Sequence, residues 1–383
     1  MFKMKELKNS LITNTPKVLV VDLSENYGGA SARALTLMQN YPAGKIYLAT
    51  LKDSPVLHYA LALNLRVIVV GRKKYDISIL FNLIKAIRTY EFDLLDAQNI
   101  QSKFWGSISA SFSRVSLVST LNSWYFNEHQ KTNIKGVLYT LIELLTDCLT
   151  SYYIVVSQNI FDALRKARVE PDRISLIYNA IDCNITNSVT NNHNLRKKLN
   201  IPMKSIICVA LGRLVWAKGY EILIQAFELL KDEEKNVFCL IIGSGELHSA
   251  LSEQIIRGDL SNRVFLLGHL DHEKALSILK TSDMFVMPSR TEGTPIALLE
   301  AAALGIPILA TNVGGIPELV TDNDALLVSA NSPKALANGI IKLANDRKFA
   351  QTISDSAQKR IADYFSIEKL LNATLQVYRK VAC

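Results

Sequence analysis

The sequence predicts an α/β protein of two domains, each a doubly wound parallel sheet, and three observations predict it. Apolar runs of strand length recur along the chain and alternate with helical stretches, the order from which helix-covered parallel sheets are built. The 383 residues exceed one ordinary domain and suit two of about 180. A polar stretch rich in Asn and Thr, residues 179–202, breaks the apolar pattern near the middle and reads as a linker.

Taken in order, the chain begins with a polar, disordered-looking tail and then a buried strand, KVLVVDLS at 17–24. Gly28 and Gly29 follow, ahead of a helix from about Ala30. Adjacent glycines there serve either as a tight turn or as a place where backbone approaches a ligand closely. They do not form the GxGxxG fingerprint of dinucleotide binding. Strand-length runs continue with KIYLATL, RVIVVG, DLLDAQ, VSLVSTL, YYIVVS and ISLIYN. Around 78–89, Leu80, Leu83, Ile84 and Ile87 make a helical stripe preceded by Arg72, Lys73 and Lys74. Such a stripe faces a core or, with that basic lead-in, a membrane surface.

The second half restarts with SIICVALGRLVWAKGYEILIQAFELL at 205–230. A strand leads into Gly212 and Arg213, and Lys218 with Gly219 precedes a helix with apolar Ile222, Leu223 and Ala226. VFCLIIGSGELHSAL then supplies a strand and a loop around Gly243. The densest stretch is 284–320, a strand–helix–strand unit. Met284–Met287 is the strand, 289–294 a polar loop, Thr294 the N-cap and Pro295 the first helical residue, and Gly305 with Pro307 the end of the helix. Free N–H groups and the dipole at that helix start favour an anion. Glu292 lies in the loop and Glu300 within an apolar helix, where it either faces water or is buried with a hydrogen-bonding partner.

Composition bounds the chemistry. Hydrophobic content of 49% is ample for two cores. The five cysteines (Cys148, Cys183, Cys208, Cys239, Cys383) have no metal-ligand spacing, and most read as small core residues in a reducing compartment. No metal site is expected; His269 and His272 lack a third ligand. No signal peptide and no run near eighteen apolar residues is seen, so the expected location is cytoplasmic. The net charge of +8 concentrates in residues 1–185, where 21 Lys and Arg face 15 Asp and Glu. That excess, and Arg72, Lys73 and Lys74 in particular, suits contact with an anionic membrane.

The pair Glu292 and Glu300, with Gly293, Pro295, Gly305, Gly314–Gly315 and Pro317–Glu318 in fixed places, resembles the signature of family 4 (group 1) glycosyltransferases. The resemblance covers nearly the whole chain, strongly in 205–330 and weakly in 1–178. It implies the GT-B fold: two facing Rossmann-like domains with a cleft between them. Their boundaries fall at 1–183 for an acceptor domain and 184–365 for a nucleotide-sugar donor domain. A last helix, about 366–383, is expected to return to the first. The implied activity is retaining, metal-independent transfer of a sugar from a nucleotide sugar to a hydroxyl of a glycan or lipid-linked acceptor. Bacterial surface polysaccharide or lipopolysaccharide assembly is the implied setting, with no separate cofactor and no nucleic-acid partner. The resemblance places Arg213 and Lys218 on the donor diphosphate and Glu292 on the donor sugar. Glu300 falls to the ribose, with Gly28, Gly29, Gly212, Gly243, Gly293, Thr294, Pro295 and Ile296 lining the donor. Asn122 stands where the family commonly carries a His near the reacting sugar, and Gln98 where many members carry another. Neither amide can act as a base; His129, seven residues beyond Asn122, is either a substitute for it or, the favoured reading, a surface His. Two readings from other classes stay open: a catalytically silent nucleotide-sugar-binding protein, and an epimerase or phosphorylase on the same scaffold. Asp322–Asn323–Asp324 has the DxD spelling used elsewhere to hold a divalent ion, but its place predicts a surface turn.

Overall fold

The computed structural model describes residues 15–122, 146–183, 185–190, 194–230 and 236–382. The first fourteen residues, His129 and Cys383 lie outside them. The chain divides into two compact units, Met1–Asn179 joined by Ile367–Cys383, and Ala180–Ser366.

The first unit holds seven parallel strands: β1 (Val18–Asp22), β2 (Ile46–Leu51), β3 (Val67–Gly71), β4 (Leu94–Ala97), β5 (Ser116–Leu121), β6 (Tyr152–Val155) and β7 (Ile174–Leu176). They lie in the order β3-β2-β1-β4-β5-β6-β7, with Val18 beside Ile46 on one side and Leu94 on the other. Every residue of β1, β4 and β6 is buried. Covered on both faces, such strands read as unbroken apolar runs rather than alternating ones. The helix Ser78–Tyr90 buries Ile79, Leu83, Ala86 and Ile87. The sequence stripe was therefore half right: Leu83 and Ile87 face the core, whereas Leu80 and Ile84 sit on its flanks. The inward line of a 3.6-residue repeat passes through 79, 83 and 86.

The last helix, Ile367–Ala382, packs against the helix Gly29–Asn40 and against β4 and β5. Its Tyr378 hydroxyl donates to the Asp96 carboxylate at the middle of β4, which also accepts from Thr120 at 2.7 Å. Burial pushes the Asp96 carboxyl above its ordinary range, against those bonds and the nearby Arg33 guanidinium.

The second unit holds β8 (Ile206–Leu211), β9 (Val237–Ile242), β10 (Val264–Gly268), β11 (Met284–Met287), β12 (Ile308–Thr311) and β13 (Leu326–Val328). All are parallel, in the order β10-β9-β8-β11-β12-β13. Cys208 and Cys239 stand opposite each other in its core, whereas Cys148 in the first unit is exposed and Cys183 half-buried. The predicted linker is built into this unit. It carries short helices at Ile185–Ser188 and Leu195–Lys198. Lys280 Nζ binds the carbonyls of Thr186 and Val189 at 2.7 Å, and Arg196 binds those of Pro202 and Ser205.

Candidate active site

In the second sheet the chain order reverses between β8 and β11, and ligands in open α/β sheets bind beyond the carboxyl ends of strands at such a switch point. The loops after these two strands carry the predicted site. Lys218 Nζ lies 2.6 Å from Glu292 Oε1, with the Glu292 side chain 7% exposed. The same oxygen accepts from Ser289 Oγ at 2.6 Å. Arg213 is exposed at the head of the β8 loop. Gly293, Thr294, Pro295 and Ile296 follow Glu292 into the helix Ile296–Ala303. The N-cap is Pro295 rather than Thr294, one residue later than the sequence pattern placed it, and no side chain caps it. Gly305 adopts φ +70 and ends the helix, with Gly305 N bonded to Ala302 O and Ile306 N to Ala301 O.

Glu300 is 4% exposed, so the water-facing reading falls. Its Oε1 lies 2.6 Å from Nε2 of His272 on the helix His272–Lys280. That bond, opposed by partial burial, raises the His272 pKa above its ordinary 6.5. Sequence reasoning considered His272 only as a metal ligand and missed this pairing. Its one signal was the buried carboxylate's need for a donor.

Two glycine contacts draw the loops together. Gly243 has φ +149, and a Cβ there would stand 1.8 Å from the Gly212 carbonyl oxygen. Gly314 has φ +56, and a Cβ there would stand 2.0 Å from the Glu292 carbonyl oxygen, which accepts from Gly315 N at 3.1 Å. Only glycine fits both demands at these places. The loop around Gly243 also braces Leu214, whose N–H donates to Ser244 O at 2.8 Å, beside Arg213. Arg290 is a further residue that sequence reasoning passed over. Its backbone N–H bonds Ala217 O and its Nη1 bonds Trp216 O, both at 2.8 Å. It stacks on the Trp216 ring and pairs with Glu221. The loop bearing Lys218 is thereby tied to the loop bearing Glu292.

Asp324 is consumed structurally. Its carboxylate accepts from Thr321 N, Thr321 Oγ1 and Ser356 Oγ. Although burial opposes it, those bonds hold its pKa below the usual value. Among the described residues no group of three or more His, Cys, Asp and Glu is placed to hold a metal ion.

The remaining predicted residues belong to the first unit, whose own switch point lies between β1 and β4. Gly28 caps the helix Gly29–Asn40 in an extended conformation, and a Cβ there would meet nothing within 4 Å. Its neighbourhood is open, so packing of the chain does not demand glycine. Asp22, at the end of β1, accepts from Ser31 Oγ at 2.6 Å and Asn99 Nδ2 at 3.0 Å. Gln98 is 1% exposed and so is not presented to solvent. Asn122 directs Nδ2 toward Gln98 O at 3.3 Å, while its Oδ1 meets no hydrogen-bond partner among the described residues.

Two doubly wound parallel-sheet units, together with solved structures that superpose over 95% of the chain, define the class: a GT-B protein. Residues 191–360 match the family model described as glycosyl transferases group 1, and residues 27–185 that described as glycosyltransferase family 4. The chain belongs to the group 1 glycosyltransferases. It is similar to the UDP-Gal:alpha-D-GlcNAc-diphosphoundecaprenol alpha-1,3-galactosyltransferase of Escherichia coli, 26% identical over 310 residues, 79% of each chain. It is also similar to the putative teichuronic acid biosynthesis glycosyltransferase TuaC of Bacillus subtilis, 30% identical over 49% of this chain and 45% of that one. The chain thus spans about half the length of several curated relatives it matches. Among solved structures, HepE of Anabaena in complex with UDP-glucose superposes with a TM-score of 0.84 at 22% identity, over 95% of this chain and 100% of that one. Among the described residues no helix is long and apolar enough to cross a membrane.

Proposed function

We propose that this glycosyltransferase moves a sugar from a nucleotide sugar to a hydroxyl of a glycan or lipid-linked acceptor, with retention of configuration and without a metal ion, in bacterial surface polysaccharide assembly at the cytoplasmic face of the membrane. The observation that carries this reading is the Lys218–Glu292 pair, 2.6 Å apart at the switch point of the second sheet. Negative charge develops on the departing nucleoside diphosphate, and preplaced cations stabilise it without reorganisation. Lys218 supplies a point charge there and Arg213 a planar fork. Glu292 pairs with Lys218; a diphosphate would take over that ammonium and leave Glu292 to accept from the donor sugar. The buried Glu300 would accept from the ribose. The names of the E. coli relative and the HepE structure support a uridine nucleotide as the first donor to try. The same E. coli name, which describes a diphosphoundecaprenol-linked substrate, supports a lipid-linked acceptor.

Retention is supported by the family pattern, and the amides at Gln98 and Asn122 are compatible with it. In a front-face transfer the leaving phosphate oxygen takes the acceptor's proton, and no side-chain base is needed. A second reading, a silent nucleotide-sugar binder, is favoured by the same two amides. The test is incubation with a panel of UDP- and GDP-sugars and polyprenyl-diphosphate-linked acceptors, with products detected by mass spectrometry and their anomeric configuration read by NMR. A glycosylated lipid of retained configuration supports transfer. Tight nucleotide binding with no product from any acceptor would establish the silent binder.

A further inference from the structure

We propose that the turn before the helix Ser78–Tyr90 and the outer face of that helix form a docking surface for an anionic lipid bilayer. Tyr75, Ile77 and Phe81 are 69%, 66% and 65% exposed, three bulky apolar side chains within one short stretch. They are not surplus core residues, because the inward line of this helix is already filled by Ile79, Leu83, Ala86 and Ile87. Ile77, Phe81, Lys85 and Arg88 follow one another at helical spacing along the outward side, so apolar and cationic groups share a single line. The helix contains no Asp or Glu. Arg72 and Lys73 add two exposed cations on the turn.

Lys74, which the sequence grouped with them, has a different task. Its ammonium pairs with Glu25 at 2.9 Å, and its carbonyl accepts from Trp105 Nε1 at 2.8 Å. Asp76 accepts from Ser78 N and Arg72 N. These bonds hold the turn and present Tyr75, Ile77 and Phe81 on a fixed ledge. A surface with an apolar tip and flanking cations suits the headgroup boundary of an anionic bilayer, where apolar groups enter the acyl edge and cations meet phosphate. A nucleic acid would satisfy the cations but leave Ile77 and Phe81 in water. The proposal deepens the membrane setting given above and does not depend on the transfer chemistry.

The experiment is sedimentation of the full chain with vesicles of phosphatidylcholine alone and of phosphatidylcholine mixed with phosphatidylglycerol, across salt. The wild type is expected in the pellet with the anionic vesicles at low salt and to be released as salt rises. Arg72→Gln, Lys73→Gln and Lys85→Gln should each lower the partition about fivefold. Ile77→Ser with Phe81→Ser should lower it roughly tenfold or more. Because both apolar residues are exposed, thermal melts should not change. Phe81→Trp should show a blue-shifted emission on anionic vesicles. Equal pelleting with phosphatidylcholine alone would overturn the proposal, as would cation variants that pellet like the wild type or a Phe81→Trp emission that does not move. A wild-type dimer that Ile77→Ser/Phe81→Ser converts to monomer, without vesicle binding, would assign the ledge to a second copy instead. Transfer to a soluble acceptor by the Ile77→Ser/Phe81→Ser variant separates this outcome from failure of the proposed reaction.

Discussion

Replacing His272 by Gln keeps a hydrogen-bond donor near Glu300 but removes a charge that titrates, and the effect should depend on pH. The pair is close, at 2.6 Å, but the His272 side chain is 49% exposed while that of Glu300 is only 5% exposed. Solvent screens the histidine end, so the charged bond contributes about 0.5–1 kcal/mol, less than a fully buried one. Because the folded pKa of His272 is raised above 6.5, the sign follows. The stabilisation is complete below the unfolded value and is lost as pH rises through the raised folded value. Thermal melts of wild type and His272→Gln, from about pH 5.5 to about pH 9, should diverge at the acidic end and converge at the alkaline end. For a unit of this size the acidic gap should be on the order of 1–4 °C. In a Glu300→Gln background the same substitution should open no such gap, which isolates the pair from other histidines. A gap constant across the whole range, or one that persists without the Glu300 carboxylate, would refute the reasoning.

The other predictions concern the loops around that pair. Lys218→Ala or Arg213→Ala should lower turnover roughly a hundred- to a thousandfold with weaker UDP binding by calorimetry; normal turnover in Lys218→Ala would remove it from the diphosphate. Gly314→Ala forces a side chain into φ +56 against the Glu292 carbonyl. It should destabilise by at least about 1–2 kcal/mol and lower turnover together, measured by melts and rates on one preparation. Activity should survive EDTA, and Asp324→Asn should lower the melting temperature without creating a metal requirement; loss of activity in EDTA with rescue by manganese would show otherwise. Asn122→Ala should lower the rate by up to roughly tenfold, the effect of one neutral hydrogen bond, and Asn122→Asp should stay active.

How much of this was legible in the sequence depended on how far apart the partners lie. The strands of both sheets are continuous apolar runs, and the unit around Glu292 announces its strand, loop and helix within a few dozen residues. Helix face and cap were readable only to within a residue: Pro295 replaced Thr294 as the cap, and Ile79 replaced Leu80 in the core. Pairings across the chain were not readable. His272 and Glu300 are 28 residues apart, Lys218 and Glu292 are 74, and Asp96 and Tyr378 are 282. The same holds for the glycines, whose positive φ at Gly243 and Gly314 serves carbonyls of other loops.

What joins these distant residues is strand order, which an apolar run does not encode. A run such as IICVAL shows that β8 is buried on both faces, but not that its neighbours are β9 and β11. Once that order exists, much of the site follows from it. Parallel strands end on the same edge, so the loops after β8 and β11 emerge side by side, and Lys218 meets Glu292. The loops after β9 and β12 flank them, and close packing there requires glycine at 243 and 314. The residue types at the site were therefore legible as a pattern, while their pairing is a property of the sheet. Substitutions that disturb the loop contacts, Gly314→Ala foremost, should impair chemistry without replacing a charged residue.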